Sequence, residues 1–179
     1  MASELVAGPA LEPVTLDEAK LHLRVDGSGE DALITALITA ARQAAEVYTR
    51  RAFVTQTWRY TCDWLGSAFT LPWQPVQSVD EVTVDGIAIP EASYELDAAT
   101  GRLRPLVPYE ARTLGGVAVE YTAGYGDAAA DVPAPLRQAI LLTIGHWYEH
   151  REAVITGSTL TELPLTTKAL LAPYRVMLV

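Results

Sequence analysis

The residues with the clearest potential for catalysis lie in the segment H146-W-Y-E-H150. His-x-x-Glu-His is the inverted zincin motif. Residues four apart share one helix face, so the imidazoles of His146 and His150 could bind one metal ion with Glu149 beside them. The chemistry would be hydrolysis by a zinc-bound water, because zinc lowers the pKa of the water that it binds.

A zinc hydrolase needs more than this segment provides. A catalytic zinc ion has three protein ligands and an open position for water, and in inverted zincins the third ligand comes from a separate downstream helix. The residues after His150 include two carboxylates. Glu152 lies on the same predicted helix and points elsewhere, whereas Glu162 lies in a segment of loop composition. The zinc hydrolase is therefore retained only as an alternative.

Other catalytic arrangements are not found in the sequence either. A Ser-His-Asp site would have to use His22, His146 or His150, and no serine lies in a Gly-x-Ser-x-Gly segment. G124-Y-G126 is not followed by a lysine-containing phosphate loop. Cys62 is the single cysteine, and we predict that it is a buried small apolar residue. A well-patterned chain without a catalytic site is more often a structural or binding protein, so we expect neither enzymatic activity nor a cofactor.

The composition indicates one folded domain. The chain has 179 residues, of which 50% are hydrophobic and 20% are charged, as in typical globular proteins. Thirteen Lys and Arg against 22 Asp and Glu give a formal net charge of -9, which argues against tight binding of nucleic acid because affinity for phosphates needs basic residues. The longest apolar runs are shorter than the roughly 20 residues that cross a bilayer, and no leader segment is predicted.

Two helices are predicted in the N-terminal part. Thr15 and Glu18 have the spacing of a capping box, which predicts a short helix over about residues 16–25. A longer amphipathic helix begins near Glu30. Its predicted solvent side comprises Thr39, Arg42, Glu46 and Arg50, and its predicted buried side comprises Leu33, Ile34, Leu37, Ile38, Ala41, Ala44, Val47 and Tyr48.

The middle of the chain has a period of two, which predicts β-strands. From residue 55 onward, Trp58, Tyr60, Cys62 and Trp64 alternate with polar residues, as in a half-buried strand. Asp85-Gly86 separates two β-branched runs and has the composition of a tight hairpin turn. A second hairpin is predicted from residues 94–97 and 100–104, and a last strand from residues 117–122.

Two more helices complete the predicted fold. Pro133 opens a long third helix that extends to about residue 153, and a short final helix covers about residues 165–171, before Pro173. The predicted class is α+β, in a single domain of residues 1–179. A helical core, residues 13–53 and 131–179, carries a small antiparallel β insertion, residues 54–127, between helices two and three.

Several segments also resemble one protein family. Similar to the N-terminal half of that family are P13-V-T-L-D-E-A-K-L-H-L-R-V-D26, D31-A-L-I-T-A-L-I-T-A-A-R42 and T49-R-R-A-F-V-T-Q-T-W58. Similar to its middle and C-terminal parts are L71-P-W-Q-P-V-Q-S-V79, Y121-T-A-G-Y-G-D127 and V132-P-A-P-L-R-Q-A-I-L-L-T-I-G-H-W-Y-E-H150. The family that these segments resemble is that of the head–tail connector (adaptor or head-completion) proteins of tailed phages. Similar adaptors occur in prophages and in phage-like gene transfer agents.

The resemblance implies a structural protein of the virion head–tail junction, assembled in the host cytoplasm, and not an enzyme. It implies a ring of about twelve copies that docks on the portal protein and receives the stopper or tail-completion protein on its opposite face. DNA would pass through the ring without sequence-specific binding, and a negative channel would repel its phosphates at short range. No membrane contact and no cofactor are implied.

The resemblance further implies that the C-terminal segment enters the portal. Its residues are suited to a protein contact, since it combines apolar side chains with cations that could pair with acidic groups of the portal. The predicted docking residues are Lys168, Leu170, Leu171, Tyr174, Arg175 and Met177. The alternative for this segment is a helix that packs on the core of its own chain.

Two alternatives to the connector function are kept. The first is the zinc hydrolase with His146, Glu149 and His150, which stoichiometric zinc would support. The second is an adhesive β-module on the particle exterior, which ligand binding by the isolated segment of residues 55–127 would support.

Overall fold

The computed structural model describes residues 2–150 and 165–176. The chain divides into two compact units. The first, named here the β unit because it contains the strands, comprises Met1–Ala10, Arg50–Asp127 and Val176–Val179. The second, the helical unit, comprises Leu11–Thr49 and Ala128–Arg175. The predicted α+β class is confirmed.

Helices of the helical unit pack around its third helix. Within the described residues they are α1 (Leu16–Leu23), α2 (Asp31–Thr49), α3 (Ala134–Glu149) and α4 (Leu165–Leu171). Helix α3 contacts the other three, and its buried side includes Leu136, Ile140 and Ile144, which recur at one-turn spacing. All four predicted helices are present, and α4 has the predicted bounds. None of the described helices is long and apolar enough to span a membrane.

Helix α1 begins as the sequence predicts. The Thr15 hydroxyl accepts a hydrogen bond from the N–H of Glu18 at 3.2 Å, and the Glu18 carboxylate accepts one from the N–H of Thr15 at 2.8 Å. Both N–H groups lack partners within the helix, so the reciprocal bonds stabilise its first turn. The helix ends at Leu23 because Arg24 adopts a left-handed conformation, φ 57°, and its N–H donates to the carbonyl of Leu21.

The buried side of α2 is only in part the predicted one: Ile34 and Ala41 are fully buried, as predicted. Ile38 is buried as expected, but Leu33 is 39% exposed and Val47 is 62% exposed. Arg42 and Glu46, predicted on the solvent side, are buried. The prediction was wrong for Arg42 and Glu46 because hydrophobic periodicity assigns charged residues to water, and it does not detect charges that neutralise each other inside a protein.

The β unit contains ten strands among the described residues, which makes it more extensive than the predicted small insertion. They are β1 (Ala2–Ala7), β2 (Gln56–Cys62), β3 (Trp64–Leu65), β4 (Phe69–Thr70), β5 (Val76–Val84), β6 (Ile87–Ala88), β7 (Tyr94–Asp97), β8 (Arg102–Pro105), β9 (Tyr109–Glu110) and β10 (Val117–Ala123). The main sheet is antiparallel with strand order β1-β2-β10-β5-β6, and two small sheets have the orders β4-β8-β7 and β3-β9. Strand β1 was not predicted, because all its residues are exposed and it has no apolar alternation.

The core of the β unit follows the predicted alternation. Trp58 and Cys62 of β2 are buried, and Trp58 stacks on Trp73 with ring centroids 4.1 Å apart. Tyr121 of β10 is fully buried, and its hydroxyl accepts a hydrogen bond from the backbone N–H of Trp73 at 3.2 Å. Trp64 departs from the pattern and is 54% exposed, because β2 ends at Cys62 and the chain continues in a different sheet.

Both predicted hairpins are present. Asp85 and Gly86 have φ angles of 50° and 78° in the turn between β5 and β6, as a tight hairpin turn with two left-handed residues requires. Strands β7 and β8 pair antiparallel. In the turn between them, the Asp97 carboxylate accepts hydrogen bonds from the N–H of Ala99 and the hydroxyl of Thr100.

Candidate functional site

The two histidines of the metal hypothesis lie together at the C-terminal end of α3. Their ring centroids are 4.7 Å apart. The N–H of His150 donates to the carbonyl of His146 at 3.1 Å, and Nδ1 of His150 lies 2.9 Å from the same oxygen. Because a carbonyl oxygen only accepts, this contact places the proton on Nδ1. His150 thus satisfies an end-of-helix carbonyl, which is a structural role.

The structure does not bring a third ligand to this pair. The part of the chain that the structure describes contains no group of three His, Cys, Asp or Glu side chains that could hold a metal ion. Glu149 is exposed. Glu152 and Glu162 lie outside the described residues. The geometry around His146 and His150 therefore gives the zinc hydrolase no support.

The C-terminal helix packs on its own unit. Helix α4 contacts α3 and α2 and buries Thr167 and Leu171. Leu171 is fully buried, so in this fold it is a core residue and not part of a docking surface. Lys168 and Leu170, on other sides of α4, are half-buried and contribute to the surface of the helical unit.

A one-turn 3-10 helix, Ala172–Tyr174, follows α4. Tyr174 is half-buried and Arg175 is exposed. The Arg175 guanidinium lies 5.5 Å from the centre of the Tyr48 ring of α2, a distance typical of a cation–π contact. Met177 lies outside the described residues. The structure thus brings the side chains of Lys168, Leu170, Tyr174 and Arg175 to the surface of the helical unit.

A buried ion-pair network lies on the inner side of α2, and the sequence analysis missed it. Arg42 contacts two carboxylates: its Nε lies 2.7 Å from Glu12 and its Nη1 lies 2.6 Å from Glu46. The Thr39 hydroxyl donates to Glu12 at 2.9 Å. Burial alone would lower the pKa of Arg42, but the charges of Glu46 and Glu12 outweigh this effect and raise it. The i, i+4 spacing of Arg42 and Glu46 was the available signal.

A second ion pair connects α3 to the start of α1. Arg137 of α3 donates from Nε to the carbonyl of Pro13 at 3.0 Å, and its guanidinium pairs with the Glu18 carboxylate. The pKa of Glu18 is lowered, mainly by the N–H of Thr15 and also by Arg137, against the opposing effect of burial. The charge on Glu18 therefore stabilises both the helix start and this contact.

Two aspartates hold a loop of the β unit. The Asp85 carboxylate accepts a hydrogen bond from the N–H of Arg112 at 2.9 Å, which is the main reason why the pKa of Asp85 is lowered. The Asp63 carboxylate accepts one from the N–H of Gly115 at 2.6 Å. The loop presents Leu114, which is 95% exposed. An apolar side chain held in this way suits a protein contact better than it suits catalysis.

Comparison with known proteins agrees with the resemblance to head–tail connector proteins that was found in the sequence. Residues 13–87 match the model of a family described as phage gp6-like head-tail connector protein. A chain from the neck of an empty gene transfer agent (GTA) particle, computed with C6 symmetry, has 26% sequence identity and a TM-score of 0.79. The match covers 100% of this chain and 97% of that one. No curated protein matches the chain.

Two further solved structures have the same fold. A chain from the virion of a native GTA particle has 25% identity and a TM-score of 0.78, with 100% of this chain and 97% of that chain covered. A chain from the neck of a native GTA particle, computed with C12 symmetry, has 24% identity and a TM-score of 0.76. This match covers 100% of this chain and 97% of that chain, and it shows a shared fold only. These matches confirm the resemblance found in the sequence: the chain is similar to phage head–tail connector proteins over residues 13–87, and to chains of GTA particles over its whole length.

Proposed function

We propose that this chain is a head–tail connector that acts as a single domain and forms a ring of about twelve copies. The ring docks on the portal protein, receives the stopper or tail-completion protein on its opposite face, and leaves a channel for DNA. The observation that carries the proposal is the fold match over 100% of the chain to a chain from the neck of a GTA particle. A match over the whole chain supports a shared architecture and not merely a shared motif.

The symmetry of the similar structures supports a ring. The neck structures were computed with C6 and C12 symmetry, and cyclic symmetry places identical chains around one axis. The formal net charge of -9 per chain supports DNA passage without tight binding, because carboxylates repel phosphates. This repulsion acts over about 8 Å at physiological salt, so it matters only for DNA close to the channel wall.

The surface at α4 supports portal docking by the C-terminal segment. Lys168 and Arg175 supply positive charge in a chain that is strongly acidic, and Leu170 and Tyr174 supply apolar surface beside them. An acidic surface on the portal would be attracted to these cations, and the apolar side chains would be buried in the contact. Leu171 is left out of the docking surface because it belongs to the core of the helical unit.

The test is the mass of the complex formed with portal rings, measured by light scattering after size exclusion. Deleting residues 175–179 removes Arg175 and Met177 and keeps α4 with its buried Leu171. We expect wild type to form a portal-sized complex and the deletion to weaken or abolish it. The variant Arg175→Glu should act in the same direction, because it reverses the charge that faces an acidic portal.

The matched control is Arg102→Glu, which makes the same charge change at an exposed arginine of the β unit. It should bind portal rings as wild type does. Wild-type protein that never binds portal rings would contradict the proposed function. Equal binding by wild type and both C-terminal variants would contradict the docking surface alone.

The two alternatives have no supporting observation of this kind. The zinc hydrolase lacks a third ligand among residues 2–150 and 165–176. For the adhesive β-module, the described residues offer no feature that favours a ligand outside the particle over a neighbour within it.

A further inference from the structure

Helix α2 reverses the usual arrangement of a surface helix, in which charged side chains face water and apolar side chains face the core. Its charged residues are Asp31 in the first turn, Arg42 and Glu46. Arg42 and Glu46 are 5% and 4% exposed, so the charges of the last two turns are inside the helical unit. A surface helix normally places its charges in water and its apolar stripe in the core.

The opposite side of α2 is exposed and carries no charge. We name it the α2 outer face and define it by Leu33, Ala36, Ala40, Gln43 and Val47, all of which are exposed. Leu33 is 39% exposed and Val47 is 62% exposed. From Leu33 to Val47 the face extends for about 21 Å, given 1.5 Å per residue. Gln43 is its single polar member.

A continuous uncharged face of this kind on a strongly acidic protein indicates a contact surface. Isolated exposed apolar residues are common, whereas an apolar stripe over several helical turns marks a protein–protein contact. The alanines at positions 36 and 40 allow another backbone to approach closely, and Leu33 and Val47 supply apolar area at both ends. The face is therefore suited to be covered in the assembled protein.

We propose that the α2 outer face is a subunit contact, on which an adjacent copy of this chain packs in the ring. The inference rests on the proposed ring and names the surface that holds it together. In a ring, each copy meets its two neighbours through two unlike surfaces. The α2 outer face is one of these two surfaces.

The negative charge of the chain favours a second copy of the chain as the partner of the α2 outer face. Each copy carries a formal net charge of -9, so two copies repel unless they meet through surfaces without carboxylates. The α2 outer face fulfils this condition because Glu46 is held inside by Arg42 at 2.6 Å. A basic partner, in contrast, would be recognised by exposed carboxylates, which this face lacks.

The first test introduces a charge at the centre of the face. Ala40→Glu should remain folded as a monomer, because position 40 is exposed, but it should not form rings on portal. Ala40→Ser is the matched control, since it adds a small polar group without charge and should form rings. Ring formation is measured by native mass spectrometry, and folding by circular dichroism of the same samples.

The second test measures the solvent accessibility of the α2 outer face without placing a charge in it. Ala40→Cys should react with a maleimide in the monomer and react about tenfold or more slowly in the ring, because an interface core excludes solvent. Ala99→Cys, in an exposed turn of the β unit, should react equally in both states. Wild type gives the background, since its single cysteine, Cys62, is buried and burial raises the pKa of its thiol.

The outcomes separate this inference from the proposed function. If wild type forms no ring under any condition, the proposed ring is wrong. If wild type forms rings and Ala40→Glu forms the same rings, with the thiol of Ala40→Cys equally reactive in monomer and ring, the ring stands and the α2 contact is wrong. If Ala40→Glu does not fold, the Ala40→Cys variant alone tests the α2 contact. A thiol that reacts more slowly in the ring than in the monomer supports the contact, and a thiol that reacts equally in both contradicts it.

Discussion

The β unit and the helical unit place their charged side chains differently. In the β unit, alternate residues of β2 and β10 are buried, and the Arg59–Glu120 pair stays at the surface with Arg59 44% exposed. In the helical unit, Arg42 and Glu46 are buried, and the opposite side of the same helix is apolar and exposed. The β unit therefore depends on apolar packing for its internal order, whereas the helical unit also depends on buried charges.

The largest expected effect is in the helical unit, at Arg42. Arg42→Met removes the guanidinium that contacts both Glu46 and Glu12, while both carboxylates stay in place. Removing one member of a buried ion pair typically costs about 3–5 kcal/mol, because the remaining charge keeps its desolvation penalty. Urea unfolding of the variant should show a loss of this size in the free energy of unfolding.

The double variant Arg42→Met/Glu46→Leu distinguishes lost pairing from lost volume. It removes the buried pair together and should recover most of the loss, since an apolar replacement of a whole pair is often close to neutral. If Arg42→Met lowers the free energy of unfolding by less than about 1 kcal/mol, the buried ion pair stabilises the protein no more than a surface ion pair does. The helical unit would then not differ from the β unit in depending on buried charges.

A smaller effect is expected in the core of the β unit, at Tyr121. Tyr121→Phe keeps the buried ring but removes the hydroxyl that accepts the N–H of Trp73 at 3.2 Å. The buried N–H is left without its partner, which costs about 1–3 kcal/mol. Tyr94→Phe, a half-buried tyrosine of the same unit, is the control and should change the free energy of unfolding less. An equal loss in both variants would mean that the loss is not specific to the bond between Tyr121 and the N–H of Trp73.

The same contrast explains which parts of the fold could be predicted. The alternation of β2 and β10, the Asp85-Gly86 turn and the capping box are local signals, and each fixes a structure within a few residues. Strand β1 has no such signal, since its residues are all exposed and only pairing with β2 makes it a strand. Its existence depends on a partner more than 50 residues away in sequence, as in the pairing of Leu5 with Trp58.

The candidate site shows the same division between local and long-range information. The spacing of His146 and His150 correctly predicted that the two rings lie together, at 4.7 Å. What a spacing rule cannot supply is a third ligand from elsewhere, or the carbonyl that holds His150. Leu171 was assigned to docking because it is apolar, and its burial in the helical unit follows from packing that only the structure reveals.

A third prediction concerns pH and the start of α1. The pKa of Glu18 is lowered from its usual 4.5 in the folded state, so its contribution to stability is present above that usual value and is lost as pH falls through the folded pKa. Glu18→Gln keeps an acceptor for the N–H of Thr15 and removes the charge. At neutral pH it should cost less than about 1 kcal/mol, because the Glu18 side chain is 40% exposed and solvent screens its pairing with Arg137.

The measurement is the free energy of unfolding of wild type and Glu18→Gln between neutral pH and about pH 3. The difference between the two proteins should shrink toward zero as the pH falls, since protonation removes the charge from wild type as well. A difference that stays constant over this range would assign the effect to packing of the side chain instead of its charge.

The smallest effect is expected at Arg59, where the β unit has an ion pair of the same chemistry as that of Arg42. Its Nη2 lies 2.8 Å from Glu120 across β2 and β10, but Arg59 is 44% exposed and Glu120 is 30% exposed. Water and salt screen such pairs, so a double-mutant cycle with Arg59→Gln and Glu120→Gln should give a coupling energy below about 0.5 kcal/mol. The same cycle at Arg42 and Glu46 should give several times that value, since the two pairs have similar distances and differ mainly in burial. A coupling above about 1 kcal/mol at Arg59 would mean that the β unit also depends on fixed charges. Burial would then no longer explain why the alternation of β2 and β10 was predicted from the sequence and the positions of Arg42 and Glu46 in α2 were not.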